Sequence, residues 1–135
     1  MKEIHLLEET NDLEFCILAI NSHIKGYKLC WHINRLLNMS FKREDSTVLS
    51  EKDQFTSFVH YEGEQKFVLI ENKSKKGFLL SKKRAINFFI KVEPMFSLKE
   101  KEEFIVNLNR VSKILLIFEI DLSKEKQAHR FIFND

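Results

Sequence analysis

Residues 72–92 carry seven cations and no acid: Lys73, Lys75, Lys76, Lys82, Lys83, Arg84 and Lys91. A single-sign block inside an apolar, foldable stretch suits a surface that meets an anion. Phe78, Leu79 and Leu80 interrupt the cations, and basic side chains interleaved with an aromatic fit the phosphates and bases of a single nucleic-acid strand. Phe78 is equally well explained as a core strand residue. A second acid-free stretch, residues 25–43, places Lys25, Lys28, His32 and Arg35 three, four and three apart. On a helix these share one face, which could dock a phosphodiester backbone or an acidic helix, or simply meet solvent. Other chemistries find little support. Gly26, Gly63 and Gly77 are isolated, so neither a P-loop nor a dinucleotide fingerprint can be assembled. His5, His23, His32, His60 and His129 lack metal-ligand spacing. Cys30 and His32, two apart on a helix, point away from each other and form no nucleophile pair. No paired acid and base stands out among the carboxylates. The chain therefore reads as non-enzymatic, with no cofactor or metal motif.

The rest of the composition describes what must position these cations. The chain has 135 residues, 44% hydrophobic and 12% aromatic, with thirteen Phe but only three Gly and one Pro. That is one domain's length, with material for a packed core and few long loops. The net charge of +2 conceals segregation. Residues 1–24 are acidic, 25–43 basic, 44–71 acidic and 72–92 basic, followed by a mixed end. Cys16 and Cys30 sit in apolar surroundings and are expected as reduced core thiols, with a disulfide left to geometry. The opening MKEIHLLEETND is too short in apolar residues for a signal peptide, and no stretch approaches a membrane span. A soluble, cytoplasmic protein that does not engage a membrane is expected.

The periodicities predict a single α+β domain over 1–135: two layers, a mostly antiparallel sheet with two main helices on one face. Residues 4–7 suggest a short strand, and 13–20 (LEFCILAI) a strand buried on both faces. Asn21 and Ser22 offer an N-cap for a helix over 23–37, with Ile24, Tyr27, Trp31, Leu29, Ile33, Leu36 and Leu37 as apolar positions and Gly26 weakening its first turn. Tyr27 and Trp31, four apart, are expected in the core; exposed, they would mark a protein interface. Residues 41–49 suggest an edge strand. Residues 55–61 and 66–71 flank Glu62-Gly63-Glu64-Gln65 as a hairpin, and 78–80 and 86–92 suggest further strands. Ser97 caps a helix over 97–110 with Glu100 in the capping-box position and Leu98, Ile105, Leu108 and Val111 facing inward. Residues 114–120 (ILLIFEI) read as a buried strand, completing a C-terminal β-α-β unit.

Leu80-Ser81-Lys82-Lys83-Arg84-Ala85-Ile86-Asn87-Phe88 resembles, by residue class and spacing, the motif of the IPExxxVDY family, small proteins of Bacteroidota. Leu80, Ile86 and Phe88 stand at the Ile, Val and Tyr positions. Ser81, Lys82 and Asn87 replace Pro, Glu and Asp. Tyr27–Asn34, Phe41–Asp45, Glu71–Ser74, Glu119–Asp121 and Phe131–Phe133 are similar to the family's first helix, following strands and C-terminal pattern. The resemblance implies a divergent member and brings no activity or cofactor. If the family's Glu and Asp did acid–base or metal work, Lys82 and Asn87 could not serve as carboxylates; if they are structural, the exchange only makes the surface more basic. The expected function is recognition of an anionic macromolecule, RNA or an acidic protein, through residues 25–43 and 72–92. The alternative is a structural subunit of a homo-oligomer or complex, suggested by the large apolar load.

Overall fold

The structure, a computed structural model, describes residues 14–44, 48–50 and 53–133; the strand expected at 4–7 lies outside them. Eight strands and two helices follow in the order β1 (Cys16–Asn21), α1 (Gly26–Leu37), β2 (Lys42–Arg43), β3 (Val48–Ser50), β4 (Asp53–Phe55), β5 (Ser57–Glu62), β6 (Gln65–Glu71), β7 (Phe88–Glu93), α2 (Leu98–Asn109) and β8 (Leu116–Glu119). A 3-10 turn, Ala128–Phe131, comes last. Six strands form one antiparallel sheet, ordered β2-β5-β6-β7-β1-β8, while β3 and β4 pair separately. This is an α+β fold. β7 and β8 are each antiparallel to β1, which lies between them, so the β-α-β unit is split by the chain's first described strand.

Alternation along the strands buries both faces of the sheet. Cys16, Leu18 and Ile20 of β1, with Phe67, Leu69, Phe88, Ile90 and Val92, pack against Leu29, Cys30 and Ile33 of α1 and Phe104 and Leu108 of α2. The opposite residues, among them Ile17, Ala19, Val68, Ile70 and Phe89, are covered by coil rather than helix: Leu79, Leu80 and Ile86 from the β6–β7 connection, and Phe131 from the 3-10 turn. Phe131 meets Phe89 edge to face at 5.1 Å. The near-continuous apolar run of β1 follows from this double burial.

Local chemistry explains most boundaries. Ser97 Oγ accepts the Glu100 amide and Glu100 Oε1 accepts the Ser97 amide, both at 3.1 Å, a complete capping box. Leu98, expected inward, is exposed at the first helical position, and Phe104 takes the core place instead. The β5–β6 hairpin closes with Glu62 opposite Gln65, so the turn is only Gly63 and Glu64. Gly63 supplies its left-handed φ of 61° at no steric cost.

Four other expectations change. Helix α1 begins at Gly26 rather than His23: Lys25 is its N-cap, while Ser22, its amide donating to Asn87 Oδ1 at 2.9 Å and its hydroxyl unpaired, caps nothing. Residues 41–49 divide into the edge strand β2 and the separate β3. Residues 78–80 form no strand; after an isolated Lys73–Phe78 bridge they turn inward as cover. Finally, β8 is an edge strand with Leu115, Leu116 and Phe118 exposed, since the sheet ends there among the described residues.

Candidate functional site: a basic cleft continued by an aromatic helix face

The ends of β6 and β1 and the starts of β7 and α1 meet at one margin of the sheet. Between them lies a cleft of about 530 Å³ lined by residues including Ser22, His23, Lys25, Gly26, Tyr27, Arg43, Phe58, Glu71, Lys73 and Asn87. Lys25 and Arg43 come from the first acid-free stretch and Lys73 from the second, so the two adjoin here. The start of α1 adds to the positive character. Its N-cap, Lys25, makes no side-chain capping bond, and the first turn holds no acid. Free amides at a helix N-terminus favour an anion.

One carboxylate opposes this. A Cβ on Gly26 would stand 2.7 Å from Glu71 Oε2 and 2.8 Å from Phe58 Cε1, so glycine is what lets the helix begin so close to β5 and β6. Burial pushes the Glu71 carboxyl above the usual carboxylate range, and the nearby Arg43 pulls it back down. Three cations therefore face one carboxylate whose charge is disfavoured. In the cleft wall, buried Ser22 leaves its hydroxyl without a hydrogen-bond partner.

From the cleft, Tyr27 leads onto the outward face of α1. Tyr27 is 59% exposed and Trp31 54% exposed, contrary to their expected place in the core. The core stripe is Gly26, Leu29, Cys30 and Ile33, and the sequence held a second apolar stripe that periodicity could not rank. Lys28 and Arg35 are exposed on the same side, and His32 is half-buried at its border. The Arg35 guanidinium lies 5.2 Å from the Trp31 ring centroid, and Trp31 meets His32 edge-on at 5.0 Å. Two flat rings thus alternate with two cations on one helix face. The signal was legible: positions 27, 31 and 35 share a face with 28 and 32, so a core role for the rings conflicted with a solvated role for the cations.

The remaining cations of 72–92 separate. Lys75 and Lys76 are exposed at a turn whose amides at Lys76 and Gly77 donate to Ser74 Oγ. Lys82, Lys83 and Arg84 ride on the coil cover, across the sheet from α1. Lys83 pairs with Glu125 at 3.3 Å, and Arg84 lies over the half-buried Phe78 ring at 5.3 Å. Lys91 is not a surface cation: it is buried, 3.3 Å from Glu93 and 4.5 Å from the ring centroids of both Phe15 and Phe133.

Two residues that the sequence did not single out hold the cover in place. Asn72, fully buried, donates from Nδ2 to the carbonyls of Lys83 at 3.0 Å and Ile86 at 2.8 Å, and its Oδ1 accepts the Leu80 amide at 3.0 Å. Arg130 donates to the carbonyls of Phe78 at 2.9 Å and Leu79 at 2.6 Å. Such bonds span loops and leave no local pattern to read.

Asn87 ties β7 to the end of β1 through the Ser22 amide, while Lys82 is exposed. Leu80, Ile86 and Phe88 are all buried. Position 87 is thus occupied structurally in this chain. His60 is likewise structural: its Nδ1 accepts the Ser40 amide at 3.0 Å, placing Nε2 3.1 Å from Glu62. Cys16 and Cys30 are free, buried thiols, each pushed up to about 12 mainly by burial, and so far from nucleophilic thiolates. No helix among the described residues is long and apolar enough to cross a membrane. No protein-family model matches the chain, and comparison with curated proteins finds no match.

Proposed function

We propose that this chain is a non-enzymatic module that binds single-stranded RNA along the cleft and the outward face of α1. One observation carries this: Tyr27 both lines the cleft with Lys25, Arg43 and Lys73 and heads the exposed Tyr27–Trp31 face flanked by Lys28 and Arg35. Phosphates would meet the cations and bases would stack on the rings, a division of labour suited to a single strand. An acidic protein could meet the same cations and bury the two rings as interface anchors, but rings and cations alternating along one face suit successive bases and phosphates better. Lys75 and Lys76 would extend the basic field, while Lys82 and Arg84, across the sheet from α1, lie outside this surface. Kinship with the IPExxxVDY family remains a proposal resting on the Leu80–Phe88 spacing, and it adds no chemistry.

Trp31 is the sole tryptophan, so its fluorescence reports on the site directly. Titration with a labelled single-stranded RNA should quench Trp31 in parallel with the anisotropy change. If Lys25, Lys28, Arg35, Arg43 and Lys73 all contact phosphate, the plot of log K against log salt should slope at about −3.5, taking about 0.7 per contact. Trp31→Ala should weaken binding by about 1–3 kcal/mol. Equal binding of polyglutamate, unaffected by Trp31→Ala, would turn the assignment to an acidic protein partner. No binding of either polymer at low salt would refute recognition of anions by this face.

A further inference from the structure

The sheet ends differently on its two sides. At one side β2 is two residues long and presents exposed Lys42 and Arg43, a short, charged edge of the protected kind. At the other, β8 lies within a seven-residue run, Ile114 to Ile120, that contains no Lys, Arg, Pro or Gly. Its inner side bonds to β1: the Ile120 amide donates to the Ile17 carbonyl at 2.9 Å, and Phe118 and Leu116 stand opposite Ala19 and Asn21. Alternation in an antiparallel ladder turns the amides and carbonyls of Ile117 and Glu119 away from β1. Among the described residues, no strand accepts them. Leu116 and Phe118 project from the coil-covered face but belong to neither core, at 51% and 39% exposed.

We infer that β8 is a homodimer interface, pairing antiparallel with β8 of a second copy about a two-fold axis at Phe118 and joining two six-stranded sheets into one. The outward groups of Ile117 and Glu119 then bond to Glu119 and Ile117 of the other copy. The strand is self-complementary in that register. Phe118 of each copy falls opposite Phe118 of the other, an aromatic cross-strand pair flanked on the same face by Leu116. Glu119, the one charge within the strand, is held back by Lys101 of α2 at 2.9 Å, so it does not oppose the approach. A closed, two-fold arrangement consumes both edges and leaves only the charged β2 edges outermost. None of the residues in the RNA reading take part, so either proposal can fail alone.

Light scattering coupled to size exclusion, run on the full chain across a concentration series, tests this. Wild type should show twice the chain mass of 16.1 kDa, dissociating on dilution. Phe118→Lys should be monomeric at all these concentrations with an unchanged circular dichroism spectrum. Leu116→Glu, at the other exposed apolar position of the strand, should likewise be monomeric and folded. A wild type that stays monomeric throughout overturns the inference. So does a dimer that persists in folded Phe118→Lys or in folded Leu116→Glu.

Discussion

Asn72→Ala removes the side chain that fastens the coil cover to the sheet. Three partners lose their bond: the Leu80 amide and the Ile86 and Lys83 carbonyls. The Leu80 and Ile86 bonds are buried, whereas Lys83 is only half-buried and its carbonyl can turn to water. Each buried group left unpaired costs roughly 1–3 kcal/mol, so two give a loss of about 4 kcal/mol. That is a large part of the roughly 5–15 kcal/mol holding a typical domain together. At about 2 kcal/mol per molar, the urea midpoint should fall by about 2 M. Equilibrium unfolding followed by circular dichroism measures this, with the slope checked to confirm that the same transition is being compared. Asn72→Asp provides a control for the cause. It keeps an acceptor for Leu80 but sets a carboxylate against two carbonyls, so it should be at least as damaging at neutral pH. It should partly recover in acid, when one O–H donor returns. A loss below about 1 kcal/mol for Asn72→Ala, or an Asn72→Asp variant as stable as wild type at neutral pH, would refute the hub role and the estimate built on it.

Three further outcomes follow from the cleft and the helices. Gly26→Ala should destabilise by about 1–3 kcal/mol, seen as a lower unfolding midpoint, because the new methyl meets the buried Phe58 ring. Glu71→Gln should stabilise the protein at neutral pH and strengthen RNA binding by anisotropy. Since the folded-state pKa is raised, folding takes up a proton in the window between the unfolded and folded pKa values. Wild-type stability therefore falls as pH rises through that window, and Glu71→Gln should lack this fall. Ser97→Ala should cost about 1 kcal/mol in a denaturant titration by opening the capping box of α2.

Features governed by neighbours in sequence were legible, and those governed by distant partners were not. The capping box at Ser97 and Glu100, the Gly63 hairpin and the doubly buried β1 each carry their cause within a few residues. The start of α1 does not: Ser22 looks like a cap, yet its backbone is held by Asn87, sixty-five positions on, and the helix begins only at Gly26. An apolar run such as ILLIFEI gives burial on at least one face but cannot say whether the strand is central or last in its sheet. The same holds for the site. Residue type marked Lys25, Lys28, Arg35 and Lys73 only as cations of two acid-free stretches, and it could not tell that Lys73 would join Lys25 in one cleft while Lys82 and Arg84 travelled to the opposite side of the sheet. Arg43, which completes the cleft, was visible only as one more charge in its stretch.

The coil cover has a consequence for how the molecule comes apart. A helix laid on a sheet keeps its own backbone bonds in a continuous ladder; this coil has only scattered turn bonds and is pinned by the Asn72 and Arg130 side chains. The covered face should therefore open first, as a unit smaller than the whole. What it bares is Ile17, Ile70 and Phe89 on a still-paired sheet, beside a released loop dense in lysine. Such a species is adhesive and readily cut between Lys75 and Lys76. Survival in a crowded, protease-rich environment would then depend less on the global unfolding free energy than on how seldom the Asn72 and Arg130 fastenings let go together.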